Sequence, residues 1–195
     1  YIARSDALDE LLANSASIGT SMFHCDAKII DQESRCEVPP GELGVLCLRS
    51  PHNFDGYLDD PARTETIIDQ DGWIYTGDLA VQDQDGLIFI KGRADNMFIS
   101  GGENISPEEI EQALMKHPVV AGAICAGIPD LQWGQAPVAL VIFHAGKSAT
   151  EEGLKAFCRD YLADYKVPKH IRSVAELPLT GAGKLNRQAV VTLFS

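Results

Sequence analysis

Two kinds of hydrophobic spacing divide the 195-residue chain. In the first half, short apolar or alternating runs of strand type occur at 28–31, 44–49, 73–75, 79–81 and 87–91. Turn chemistry separates them: Pro39-Pro40-Gly41-Glu42 within 32–42, Asp71-Gly72, and Asp83-Gln84-Asp85-Gly86, whose Asp-Gly is a hairpin signal. Asp60 followed by Pro61 opens a short helix running to about Ile68. The pattern over residues 28–91 predicts an antiparallel, barrel-like sheet. Upstream there is a short helical signal at 6–13, then small polar residues at 15–21 that read as a loop.

In the second half the period lengthens. Ile110, Ala113 and Leu114 fall on one face of a helix that opens at Pro107, with Ser106 and Glu109 in capping-box positions and His117-Pro118 as its stop. Residues 119–126 and 136–143 are apolar throughout, as in buried strands, and a loop with Pro129, Asp130, Trp133 and Gly134 joins them. Ser148 and Glu151 predict a second cap, before a helix whose apolar face is Leu154, Phe157, Cys158, Tyr161 and Leu162. Residues 166–169 break it, 171–174 form a strand, and 180–184 (TGAGK) form a loop before a last helix from Arg187. The fold class is therefore α+β: an antiparallel barrel-like subdomain over 1–94, then a small α+β domain over 95–195, with no internal repeat.

Composition narrows the function. A hydrophobic content of 45% suffices for a packed core without staples. A net charge of -12 and a pI near 4.7 exclude a nucleic-acid binder, which needs clustered Lys and Arg, although Arg93, Lys166, Lys169 and Lys184 leave room for a small anionic ligand. Cys25, Cys36, Cys47, Cys125 and Cys158 stand singly, so neither a disulfide framework nor a zinc site is indicated. The histidines lack metal-ligand spacing, and metal ligands are expected to be none. No apolar run approaches the roughly 18 residues of a membrane span, and with no signal peptide the expectation is a cytoplasmic protein with reduced thiols. Its oligomeric state, including a homo-oligomer, is left open.

Three stretches carry candidate chemistry. Tyr75-Thr76-Gly77-Asp78 places a carboxylate after a strand-end turn, where it can accept hydrogen bonds from a vicinal diol, though such an aspartate is more often a plain turn residue. Residues 92–111 (GRADNMFISGGENISPEEIE) run from a strand end through a polar corner and two glycines into a helix. Residues 178–184 (PLTGAGK) put a cation in a glycine-rich loop, where residue type alone says solvated surface lysine. Together and in this order the three resemble the adenylate-forming superfamily of acyl- and aryl-CoA ligases, peptide-synthetase adenylation domains and luciferases. The resemblance covers about residues 41–185.

It implies roles for particular residues. Asp78 and Arg93, with Tyr75 beside them, would bind the nucleotide through its ribose. Asp95 would be the hinge about which the small domain turns. Gly101 and Gly102 would line the path of the CoA pantetheine arm, and Trp133, Tyr165 and Lys169 would meet its adenine and phosphates. Lys184 would be catalytic, bridging the substrate carboxylate and the α-phosphate of ATP. Asn96 stands where the family often has a second aspartate. Ile99 stands where luciferases carry a lysine, which argues against luciferase-type oxidation, and residues 99–107 look closest to aryl- and o-succinylbenzoate-type CoA ligases.

The family's Ser/Thr/Gly-rich phosphate loop and its aromatic-Thr-Glu motif have no counterpart here, and the chain begins Tyr-Ile-Ala-Arg. The expectation is the C-terminal part of a longer ligase, not competent alone, whose substrates are a carboxylic acid, ATP (leaving as AMP) and CoA. Mg2+ would be bound mainly upstream. Two other readings stand beside it: an adenylation domain that loads a carrier protein, and a non-catalytic nucleotide- or CoA-binding module. The absence of a Gly-Gly-x-Ser sequence after Lys184 favours CoA over a carrier. Retention of Asp78, Arg93, Asp95, Gly102 and Lys184 together favours catalysis over simple binding.

Overall fold

The computed structural model describes residues 17–194. The helix expected at 6–13 lies outside the described residues. Strands β1 (Asp26–Ile30), β2 (Leu43–Arg49), β3 (Ile74–Gln82) and β4 (Ile88–Arg93) form one antiparallel sheet in the order β1-β2-β3-β4. The sheet is open, and its two edges are covered locally. Ile18 donates to the Ile88 carbonyl outside β4, and Val38 donates to the Ile29 carbonyl outside β1, so each edge is paired at one end. Ile29, Leu46, Ala80 and Ile88 form its core. Helix α1 (Pro61–Ile67) starts as the sequence predicts, with the Asp60 carboxylate accepting from the Arg63 N–H.

One expectation is corrected in β3. The sequence suggests two strands around a turn at Tyr75–Asp78, but a single strand passes through. Gly77 adopts φ +74 and the pairing slips between Val45 and Cys47 on β2 and between Leu79 and Ala80, so the strand absorbs the turn-like residues as a bulge.

The chain divides into two compact units between Asp95 and Asn96, at a one-turn 3-10 helix, Ala94–Asn96. The second unit is built on strands β7 (Val120–Asp130) and β8 (Gly134–Phe143), antiparallel, with β9 (His170–Ser173) parallel to β8. Both faces of this sheet are covered, which is why its strands read as unbroken apolar runs. Helices α2 (Pro107–Met115) and α3 (Glu151–Arg159) pack on one face with Ala123, Cys125, Ala139 and Val141. Helix α4 (Arg187–Phe194) contributes Val190 to the other face, with Ile124, Ala126, Val138 and Leu140. A hairpin of β5 (Phe98–Ser100) and β6 (Glu103–Ile105) closes the first face. The Phe98 ring sits on Gly127, where a Cβ would come within 2.6 Å of it.

Of the two caps expected in this unit, one moves to another residue and the other keeps its position without its side-chain bonds. Thr150, not Ser148, accepts from the Gly153 N–H at the start of α3. At α2 no capping box forms, because the Ser106 hydroxyl donates to Glu108 and Glu109 is drawn away by Lys166 at 2.6 Å. Residues 101–102 are the turn of the β5–β6 hairpin, both with positive φ, so the stretch doubles back before it enters the helix.

Leu140 is fully buried between β7 and α4. Leu140→Ala should cost the second unit about 2–5 kcal/mol in urea unfolding, the range for large-to-small changes in a tight core. A loss below about 1 kcal/mol would show that the sheet is not packed on both faces as described.

Candidate functional site

In the first unit the β3–β4 register sets Asp78 opposite Arg93. The Arg93 guanidinium donates to the Asp78 carboxylate at 3.0 Å, to the Thr76 carbonyl at 2.8 Å and to the Asp95 carboxylate at 3.4 Å. It lies across Gly77, where a Cβ would stand 3.0 Å from it, so both the positive φ and the close approach require glycine. The Thr76 hydroxyl accepts from the Asp78 N–H and donates to the Leu46 carbonyl, which fixes the corner. The Asp78 bond, then the Asp78 and Asp95 charges, outweigh partial burial and raise the Arg93 pKa. The Arg93 and Asp78 side chains remain 43% and 33% exposed, so a pair this accessible contributes little to stability and is available to a ligand.

Strand alternation separates Tyr75 from this group. Thr76 and Asp78 line a hollow of about 500 Å³ with Ser17, Ile18, Leu48 and Ile90, whereas Tyr75 and Gly77 line one of about 210 Å³ with Arg35, Thr66 and Asp95. The Tyr75 hydroxyl donates to Asp69 at 3.0 Å, and the Arg35 guanidinium lies 4.3 Å above its ring. Burial, with the Asp69 carboxylate, raises the phenol pKa.

In the second unit the two adjacent glycines differ. The Trp133 ring lies on Gly101, with 2.8 Å between that ring and where a Cβ would sit, and the Gly101 N–H donates to the Trp133 carbonyl at 2.9 Å. Gly102 has nothing within 4 Å of its Cβ position and offers an open, side-chain-free face. Gly101, Trp133, Tyr165 and Lys169 line one cavity of about 530 Å³ together with Ser100 and Pro137. Trp133 and Tyr165 are 51% and 44% exposed, which leaves aromatic faces open beside the Lys169 ammonium.

Lys169 is set by a residue to which the sequence reading gave no role. The Asp130 carboxylate accepts from Lys169 Nζ at 2.6 Å and from the Gln132 and Trp133 N–H groups. One short side chain thus holds both the cation and the backbone that carries the indole. The signal was present as an aspartate at a loop start, a position that favours side-chain-to-backbone bonds.

The loop carrying Lys184 is a small ladder. Thr180 N–H donates to the Lys184 carbonyl at 2.7 Å, Gly183 N–H to the Thr180 carbonyl, and Leu179 bridges Leu185. The Thr180 hydroxyl accepts from the Lys184 N–H. Lys184 is exposed, and among the described residues no acidic side chain pairs with its ammonium, so a fixed backbone carries a free cation. At the end of that ladder Arg187 is bonded to Glu108 and Glu111, a cluster sequence spacing could not reveal.

The described residues contain no group of three His, Cys, Asp or Glu side chains able to hold a metal ion, so no step is assigned to Mg2+ within them. No helix among them is long and apolar enough to cross a membrane.

Residues 2–58 match the model of the AMP-binding enzyme family, and residues 109–184 match that of the AMP-binding enzyme C-terminal domain. A 2-succinylbenzoate–CoA ligase of Bacillus thuringiensis is 39% identical over 92% of this chain and 36% of its own length. A long-chain-fatty-acid–CoA ligase of Escherichia coli is 39% identical over 90% of this chain and 31% of its own. The crystallised o-succinylbenzoate CoA synthetase of Bacillus subtilis, in complex with its acyl-adenylate intermediate, superposes with a TM-score of 0.86 at 32% identity, over 93% of this chain and 37% of that one. The chain therefore spans about a third of the length of these relatives.

The Lys169 bond, with the Trp133 and Gln132 N–H groups, holds the Asp130 carboxyl at about 2 against an ordinary 3.8. A depressed folded-state value means that this clamp stabilises the fold above pH 3.8 and is lost as pH falls toward 2. Carboxyl carbon NMR of Asp130 should titrate with a midpoint near 2, and a midpoint near 3.8 would show the clamp to be open in solution.

Proposed function

Since the chain belongs to the adenylate-forming, AMP-binding enzyme family, we propose that it forms the C-terminal portion of an ATP-dependent acid–CoA ligase. The full reaction converts carboxylic acid, ATP and CoA to acyl-CoA, AMP and pyrophosphate. In the first half the carboxylate oxygen attacks the α-phosphate and pyrophosphate leaves. In the second the CoA thiolate attacks the acyl carbon and AMP leaves. What most supports this reading is that the second unit carries two unlike features: an ammonium with no acidic partner among the described residues, on a braced loop, and a glycine face with no side chain.

Asp78 and Arg93 bind the ribose, the carboxylate by accepting from its hydroxyls and the guanidinium by holding that carboxylate in place from the neighbouring strand. Tyr75, held by Asp69 on the other face of β3, steadies the same segment from behind. Lys184 places positive charge where it builds up on the phosphoryl oxygens during attack, a role for which a compact, mobile point charge is suited. Gly102 admits the pantetheine arm. Trp133, seated on Gly101, and Tyr165 stack against the CoA adenine, and Lys169 meets its phosphates. Asp95 serves as the pivot between the half-reactions. The setting is the cytoplasm, which supplies ATP and CoA. A panel of aryl, o-succinylbenzoate and fatty acids, run with the full-length parent, identifies the acid.

In that parent, Lys184→Ala should slow acyl-adenylate formation by about 10²–10³-fold, as for loss of a group that stabilises transition-state charge, while supplied acyl-adenylate still reacts with CoA. Equal loss of both half-reactions, read as pyrophosphate release and thioester formation, would refute the role. Gly102→Leu should show the reverse selectivity, because its side chain fills the open face; an unchanged thioester rate would remove Gly102 from the path.

A further inference from the structure

Arg187 occupies the first turn of α4, where the helix dipole disfavours a cation and where no acidic residue of that helix offsets it. Its partners come from far along the chain. One guanidinium nitrogen donates to Glu111 and to the Cys125 carbonyl at 2.7 Å, and the other donates to Glu108 at 2.8 Å. Glu111 also accepts from the Cys125 N–H at 2.7 Å, so the fork is tied to β7 as well as to α2. Arg187 and Glu108 are each 20% exposed and Glu111 is 13% exposed.

The cluster has two further ends. Glu108 accepts at 2.6 Å from the side-chain amide of Asn96, the first residue after the division of the chain, and at 2.8 Å from the Ser106 hydroxyl. Burial alone would raise the Glu108 carboxyl; these bonds and the Arg187 charge outweigh it and hold it below the ordinary range. On the other side, Arg187 directly follows the ladder that bears Lys184, whose last rung is the Asn186 N–H donating to the Pro178 carbonyl at 2.9 Å. Charge-assisted bonds therefore run from Asn96 through Glu108 to Arg187, and the peptide bond to Asn186 carries the connection on to the root of the Lys184 loop.

We propose that Arg187, gripped by Glu108 and Glu111, is a positioning residue that fixes the Lys184 loop to the segment just past Asp95, so that Lys184 moves as a rigid extension of that segment. This rests on the adenylation role given to Lys184 above. Within the loop only local bonds, among them that of the Thr180 hydroxyl, set its shape, and none of them sets its direction relative to the sheet; a reacting group displaced by about 1 Å can lose about 10²-fold in rate. The fork supplies that direction from its base.

The test separates the half-reactions in the full-length parent, with Lys184→Ala as control. Arg187→Met should lower adenylation by about 10- to 100-fold with little change in KM for ATP, leave thioester formation from supplied acyl-adenylate within about threefold, and speed amide exchange at Thr180, Gly183 and Asn186. Arg187→Lys keeps the charge but cannot reach both carboxylates and the Cys125 carbonyl at once, and should fall between wild type and Arg187→Met. It also serves as the reporting variant if Arg187→Met does not fold. Adenylation that is normal in Arg187→Lys, or slowed equally with thioester formation in Arg187→Met, overturns the proposal while leaving the Lys184 reading intact. Normal adenylation in Lys184→Ala overturns the reading itself, and the positioning role falls with it.

Discussion

At the division of the chain two neighbouring side chains are bonded in opposite directions. Asp95 is held back by Arg93, which also grips Asp78 and the Thr76 carbonyl, and Asn96 is held forward by Glu108. Each compact unit thereby secures its own chain end. The proposed pivot lies between these two anchored ends, in the Ala94–Asn96 turn. A pivot at this point is useful only if both ends are firm, and the proposed exchange of Lys184 for Gly102 between the half-reactions depends on that constraint.

Within the second unit the same economy of contacts recurs. Asp130 places Trp133 and Lys169 together, and Gly101 gives the indole a seat. Gly102, one residue on, is left uncovered. The sheet beneath is apolar on both faces and supplies the rigidity, whereas the functional groups are carried by short polar loops at its margin.

Much of the fold was legible because its signals are local. The apolar runs that became β7 and β8, the Ile110–Ala113–Leu114 face of α2 and the Asp60 cap of α1 each depend on near neighbours. The failures are equally physical. Ser106 and Glu109 had the spacing of a capping box, but Glu108, two residues on, took the Ser106 hydroxyl, and the distant Lys166 took Glu109. The three-residue strands β5 and β6 were too short to show alternation, although the paired glycines between them are a hairpin signal. The candidate site was found only where motif resemblance marked it. Arg187 and Glu111 lie 76 residues apart, and no spacing rule links them before the chain is folded.

The pivot is tested most directly by distance measurement in the full-length parent, with spin labels at Glu65 on α1 and Glu152 on α3, one on each compact unit, and with the partly exposed Cys25 and the exposed Cys36 replaced by serine. Pulsed electron–electron resonance should give one distance distribution with acid and ATP bound and a clearly different one after a CoA–adenylate mimic is added. A single distribution, unchanged by either ligand set, would contradict the account.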